Sequence, residues 1–176
     1  SNGTMLTDND VYSMVIGGDL ITGTENAETL TGNSGHNRIE GYGGNDILEG
    51  LDGNDTLVGG EGDDRLEGGN DNDVYVADSG ADTIAEQSGD DEIVFGPGIT
   101  LEDIDIYRLY EGMYNEHLMI DWSGGSIKVE QHFYDLSTDR RVERIRFDDG
   151  STYDLIANNF VTKGTESTDT LVGEKW

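Results

Sequence analysis

Large apolar side chains recur every nine positions through the first half of the chain, at Tyr12, Ile21, Leu30, Ile39, Leu48, Leu57, Leu66, Tyr75, Ile84 and Ile93. Each sits between two residues that must point the other way, as in Ile-Leu-Glu at 47–49, Thr-Leu-Val at 56–58 and Arg-Leu-Glu at 65–67. One buried side chain between two outward ones is the period-two signature of a short strand with a single covered face. The pattern predicts ten such strands, and their ten apolar residues as the core.

The residues between the strands repeat as strictly. Four consecutive stretches, 41–49 (GYGGNDILE), 50–58 (GLDGNDTLV), 59–67 (GGEGDDRLE) and 68–76 (GGNDNDVYV), follow Gly-Gly-x-Gly-x-Asp-x-U-x, where U is a large apolar residue. Glycines at positions one, two and four allow backbone angles closed to other residues and let carbonyl oxygens converge on a small space. The glycine half therefore reads as a turn and positions seven to nine as the strand. Extended both ways, the frame runs without a break from residue 5 to residue 94. Eighteen residues make one coil of two turns and two strands, and coils stack at about 4.8 Å.

Position six reads Asp10, Asp19, Glu28, Asn37, Asp46, Asp55, Asp64, Asp73, Asp82 and Asp91. Stacking puts Asp46, Asp64 and Asp82 on one edge and Asp55, Asp73 and Asp91 on the other. Two carboxylates about 4 Å apart repel by roughly 4 kcal/mol at an effective dielectric of 20, so a ladder of them needs a cation. No Lys or Arg stands in these turns, whereas calcium takes six to eight oxygens from carboxylates and carbonyls. Turn preference alone explains one Asp in a Gly-rich loop, but not a carboxylate at the same phase in repeat after repeat.

The metal-ligating set that follows is Asp46, Asp55, Asp64, Asp73, Asp82 and Asp91, with the turn positions Gly43, Gly44, Gly53, Gly60, Gly62, Gly80 and Gly89. Asp71 joins them; it and Asp8 each replace a position-four glycine and mark an array edge or an irregular turn. Asp19 and Asn37 are candidates in the first coils, where Glu28 and Asn37 replace Asp and calcium should bind weakly or not at all. An EF-hand is excluded, because no acidic loop continues as Asp-x-Asx-x-Asx-Gly with a glutamate at its twelfth position.

Composition changes after residue 94. Arg38 and Arg65 are the only basic residues of the array, whereas seven, from Arg108 to Lys163, fall in the next segment with most of the aromatics. Gly-Pro-Gly at 96–98 marks the boundary. Alternation at 104–109, 118–122, 126–131 and 141–147 predicts four strands, with turns at Gly124-Gly125 and at 148–150. A solenoid end exposes apolar seam and unpaired strand edges, so this segment reads as its cap. The strand Arg140–Arg146 reads as a solvated face or an anchor for the acidic array. His117, His132, Glu111 and Glu116 have no partner at a diagnostic spacing, and no enzymatic activity is expected. The frame restarts at 164–172 (GTESTDTLV), with Asp169 and Leu171 in phase. Domains of 5–94, 95–163 and 164–176 follow, as part of a longer chain.

A net charge of -28 with 26 glycines and 34% hydrophobic residues predicts disorder without metal. The same charge excludes nucleic acid and anionic membrane as direct partners. With no cysteine, neither disulfides nor thiolate metal sites contribute. No apolar run long enough to cross a membrane and no signal peptide is apparent, so membrane insertion is not expected.

The array resembles the RTX, or haemolysin-type calcium-binding, family. Residues 95–160, with FGPGITLEDI and RIRFDDGSTYDL, resemble the related domain that follows or separates such arrays. The resemblance implies an all-β chain, a right-handed parallel β-roll followed by a small β-rich capping domain. It also implies Ca2+ as cofactor, and export by a type I secretion apparatus of an unfolded chain that calcium folds outside the cell. The expected role is a folding and spacer element of a secreted or surface-attached adhesin or toxin. Two alternatives stay open: an accessory module of an RTX lipase, protease or epimerase, and a carbohydrate- or surface-binding segment using Trp122, Tyr134 and Tyr153.

Overall fold

A computed structural model describes residues 19–111, 116–133, 141–156 and 168–170. The nonads before residue 19 lie outside these, with Asp10 and Tyr12, as do Tyr134, Arg140 and most of 164–172. Nine array strands fall within them: β1 (Asp19–Thr22), β2 (Thr29–Thr31), β3 (Asn37–Gly43), β4 (Ile47–Asp52), β5 (Thr56–Glu61), β6 (Arg65–Asn70), β7 (Val74–Ala77), β8 (Gly80–Ile84) and β9 (Asp91–Phe95). Odd strands pair in parallel in one sheet and even strands in another.

The register is eighteen residues throughout. Ile21 pairs with Ile39, Ile39 with Leu57, Leu57 with Tyr75 and Tyr75 with Ile93. On the other face Leu30, Leu48, Leu66 and Ile84 stack in the same way. Every one of these side chains from Ile39 onward is buried, and Ile21 and Leu30 pack against them. Tyr75 keeps its ring in the seam because its hydroxyl accepts the Gly68 N–H at 2.9 Å. The chain is a parallel β-roll with no α-helix among the described residues.

The strands run further than positions seven to nine. β4 continues through Gly50 and Leu51 to Asp52, and Tyr42 pairs with Gly60 and Leu51 with Gly69. Parallel pairing between coils uses only backbone, so glycine does not end it. The bend comes instead from left-handed angles at position two, in Tyr42 (φ 74°), Leu51 (φ 85°), Gly60 and Gly69, and at position four.

After a 3₁₀ turn at Leu101–Asp103 come β10 (Asp105–Tyr110), β11 (Glu116–Trp122), β12 (Gly125–Val129), β13 (Val142–Arg146), β14 (Thr152–Asp154) and β15 (Thr168–Thr170). β10, β11 and β12 form an antiparallel meander, with β15 antiparallel on the outer side of β10. The cap does more than cover the end of the roll, because it prolongs both sheets. β12 adds in parallel to β8 and β13 in parallel to β9, with Val129 on Ile84 and Ile145 on Ile93. One continuous core thus runs from Ile39 to Leu155, with Phe95 packed edge-on against Trp122 at 5.1 Å and stacked on Phe147 at 5.8 Å.

Charge reinforces this junction. Arg65 of β6 reaches Glu130 at 3.0 Å, Arg144 reaches Asp90 at 2.7 Å and Arg146 reaches Glu92 at 2.8 Å. The basic strand is therefore an anchor for the acidic array at Arg144 and Arg146.

Candidate metal centres

Asp46, Asp55, Asp64 and Asp73 each end a turn just before a strand, while Asp82 and Asp91 lie on β8 and β9, and the backbone at the first four faces the following coil. The N–H of Asp46 donates to Asp64 Oδ1 at 2.8 Å, that of Asp64 to Asp82 Oδ1 at 3.0 Å, that of Asp55 to Asp73 Oδ1 at 2.8 Å and that of Asp73 to Asp91 Oδ1 at 2.8 Å. The carbonyls turn the same way, with Asp46, Asp55, Asp64 and Asp73 accepting from Arg65, Val74, Thr83 and Glu92. At the end of one edge the cap takes over, since the Asp91 N–H donates to Glu143 Oε2 at 2.7 Å.

Half of each carboxylate is thereby used. The other oxygen, Oδ2, of Asp46, Asp55, Asp64, Asp73, Asp82 and Asp91 is buried with no hydrogen-bond partner. All six residues are at most 2% exposed. A buried, unpaired carboxylate oxygen is costly unless something else satisfies it.

The space in front of these oxygens is a cradle. A Cβ added to Gly41 would strike Asp46 Oδ2 and lie 2.5 Å from the Gly59 carbonyl oxygen, and one on Gly50 would strike Asp55 Oδ2 and lie 2.5 Å from that of Gly68. Carboxylate and carbonyl oxygens thus face one small volume that only glycine leaves open. That donor set fits a hard divalent cation. Calcium bound there supplies the positive charge that lets the carboxylates stack in their ionised form.

Burial is the largest influence on these groups and raises them all. It pushes Asp55 and Asp91 up to about 6 and Asp73 and Asp82 up to about 8, against the lowering effect of each backbone N–H. Asp46 and Asp64 are raised by the same cause.

The remaining predicted residues take other places. Asn37 is buried, and its Oδ1 accepts the Asn33 N–H at 2.7 Å, while Glu28 Oε2 accepts the Thr24 N–H at 2.6 Å. Those two turns close on themselves, using the oxygen that the later coils leave unpaired. Asp19 is exposed and accepts from Asn33 Nδ2 at 2.6 Å. Gly44, Gly53, Gly62 and Gly80 supply positive φ at position four, where Asp71 does the same at 74° and accepts the Gly53 N–H at 3.3 Å. Gly60 has positive φ at position two, Gly43 is buried without it, and Gly89 stacks over the Asp71 carbonyl.

Two carboxylates at the metal edges fall outside the predicted set. Asp78 joins Asp64 and Asp82, and Glu86 joins Asp73 and Asp91, each trio offering oxygens within 4.8 Å of one another. Their signal lay in departures from the repeat: 77–85 and 86–94 replace glycines at positions one and two. His117 and His132, by contrast, are buried in the cap, with His117 Nδ1 accepting the Gln131 N–H at 3.1 Å. Trp122 and Tyr153 pack against the core.

A parallel roll whose edges carry rows of unpaired buried carboxylate oxygens over glycine cradles defines a hard-cation-binding repeat protein. Its family is visible in two places. Residues 22–57 and 49–84 match the model of the RTX calcium-binding nonapeptide repeat in its four-copy form, and residues 118–155 match the haemolysin-type calcium binding protein related domain. The chain belongs to the RTX calcium-binding family, and its ion is calcium. No curated protein matches it.

Proposed function

We infer that this chain is a calcium-induced folding and spacer module, without enzymatic activity, of a large bacterial RTX protein exported by a type I system to the cell surface or medium. The observation that carries this reading is the row of buried, unpaired Oδ2 atoms from Asp46 to Asp91, three on each edge of the roll. Without a cation those carboxylates oppose the fold, and with one they hold successive coils together.

Magnitudes support a switch. Extracellular modules bind calcium at about 10⁻⁴–10⁻³ M, so cytosolic calcium leaves such sites empty and the chain unfolded for export. A site at ten times its dissociation constant adds about 1.4 kcal/mol, and four such sites add roughly 6 kcal/mol, comparable to the stability of a small domain. An adhesin or toxin is the parent that such a spacer suits.

Far-UV circular dichroism of the metal-stripped chain during calcium titration tests this. The expected result is a cooperative coil-to-β transition near millimolar calcium that magnesium does not reproduce. A β spectrum indifferent to chelator would overturn it.

A further inference from the structure

The last coil of the array puts a carboxylate at turn positions where the earlier coils carry none. On one edge position one is Gly32, Gly50, Gly68 and then Glu86, and on the other edge position two is Thr24, Tyr42, Gly60 and then Asp78. Glu86 is 7% exposed; its Oε2 accepts the Gln87 N–H at 3.0 Å, and its Oε1 is buried with no partner. Asp78 Oδ2 accepts the Gly60 N–H at 2.7 Å, and its Oδ1 is likewise buried and unpaired. Each side chain therefore uses one oxygen on the backbone and leaves the other buried and unpaired.

Distance decides whether one ion can reach all three groups. Oxygens held at about 2.3–2.6 Å from a single calcium lie at most about 5 Å apart. The oxygens of Asp64, Asp78 and Asp82 satisfy this at 4.8 Å or less, as do those of Asp73, Glu86 and Asp91. Those are the two groups of three such carboxylates among the described residues.

We propose that Asp78 and Glu86 are calcium ligands, and that the two three-carboxylate sites they complete fill at lower calcium than the two-carboxylate sites of the earlier coils. The proposal rests on the calcium reading above. Its physical basis is ligand charge, which tunes calcium affinity in oxygen cages. Place gives it consequence: Asp82 lies on β8 and Asp91 on β9, the strands on which the cap's β12 and β13 add in parallel. Filling these two sites orders the template for the cap before the rest of the roll.

The test is calorimetric calcium titration of the whole chain beside Glu86→Gln, Asp78→Asn and, as control, the exposed Glu61→Gln. Trp122 fluorescence, read in a Trp176→Phe background, reports cap docking through its contact with Phe95. Wild type is expected to show two tight ions and then weaker ones. Each of the two variants should weaken one tight ion by roughly tenfold and move the Trp122 transition to higher calcium, while Glu61→Gln titrates as wild type. If Glu86→Gln does not fold, Glu86→Asp replaces it, keeping the charge and shortening its reach, with a smaller weakening expected. Tight sites within about twofold of wild type in the variants, with wild-type calcium uptake normal, overturn this proposal alone. A wild-type chain that takes up no calcium overturns it together with the calcium reading.

Discussion

Asp64 divides its carboxylate between two tasks: Oδ1 accepts the Asp46 backbone N–H at 2.8 Å, and Oδ2, on the same carbon, is buried with no partner. Substitution can separate them. Asp64→Asn keeps an acceptor for Asp46 and removes the charge, so it should need more calcium than wild type to fold but keep the Asp46 hydrogen bond once saturated. Asp64→Ala leaves the Asp46 N–H buried and unpaired, which costs about 1–3 kcal/mol at any calcium concentration. Calcium midpoints by circular dichroism, with urea unfolding at saturating calcium, distinguish the two, and equal behaviour of the two variants would show that the oxygens do not differ.

Calcium and protons should compete. Burial raises Asp73 and Asp82 to about 8, and Asp55 and Asp91 to about 6, all above their unfolded value. The metal-free fold therefore holds protons that the unfolded chain has already lost, and the stability this brings is present in acid and disappears as pH rises through 6 and then 8. Calcium needs the same groups ionised, so the two compete for the folded roll, while the metal-free coil, ionised well below pH 6, should give up almost no protons when calcium folds it at pH 7. Titration in two buffers of different ionisation enthalpy measures the release, and heats that differ with the buffer would contradict it.

His132 sets a separate acid limit in the cap. Burial, with help from Arg141 and Arg108, pushes it down to about 3, whereas the unfolded side chain takes a proton near 6.5. Between those values only the unfolded chain is protonated, so stability falls by about 1.4 kcal/mol per pH unit as pH drops. His132→Asn should flatten that part of the acid limb at saturating calcium, seen as a smaller difference in melting temperature between pH 6.5 and 5.

Leu51 holds a left-handed angle that suits it poorly, φ 85° with its side chain 46% exposed. Asn tolerates this region, so Leu51→Asn should stabilise the calcium-loaded roll by about 0.5–1 kcal/mol. Gly69→Ala, one coil on at φ 111° and against the Leu51 carbonyl, should do the reverse. Urea midpoints of the two variants should move in opposite directions.

The nine-residue phase was legible because a coil repeats: residues eighteen apart, such as Leu48 and Leu66, must meet whatever else the chain does. Four cap strands, β10 to β13, were readable to within two residues from alternation alone, whereas the three-residue β14 and β15 are too short to show it. Which oxygen of Asp64 stays free was not, since residue type and spacing give a phase but no hydrogen bond. Asp78 and Glu86 escaped notice because the frame was read for what recurs, and they are informative as exceptions. The addition of β12 to β8 and of β13 to β9 left no local trace, because each pairing joins segments more than forty residues apart through backbone groups common to every sequence.

The peptide groups at position six give the roll a sense of direction. From Asp46 to Asp73, both the N–H and the C=O are satisfied by the coil that comes after, never by the one before, and the Asp91 N–H finds its partner in Glu143. Each coil hangs from its successor like a stair from the landing above. Steps can be added or lost below without touching the landing. A single terminator can therefore serve an array of any length, which lets such arrays grow by duplication while the piece that finishes them stays unchanged.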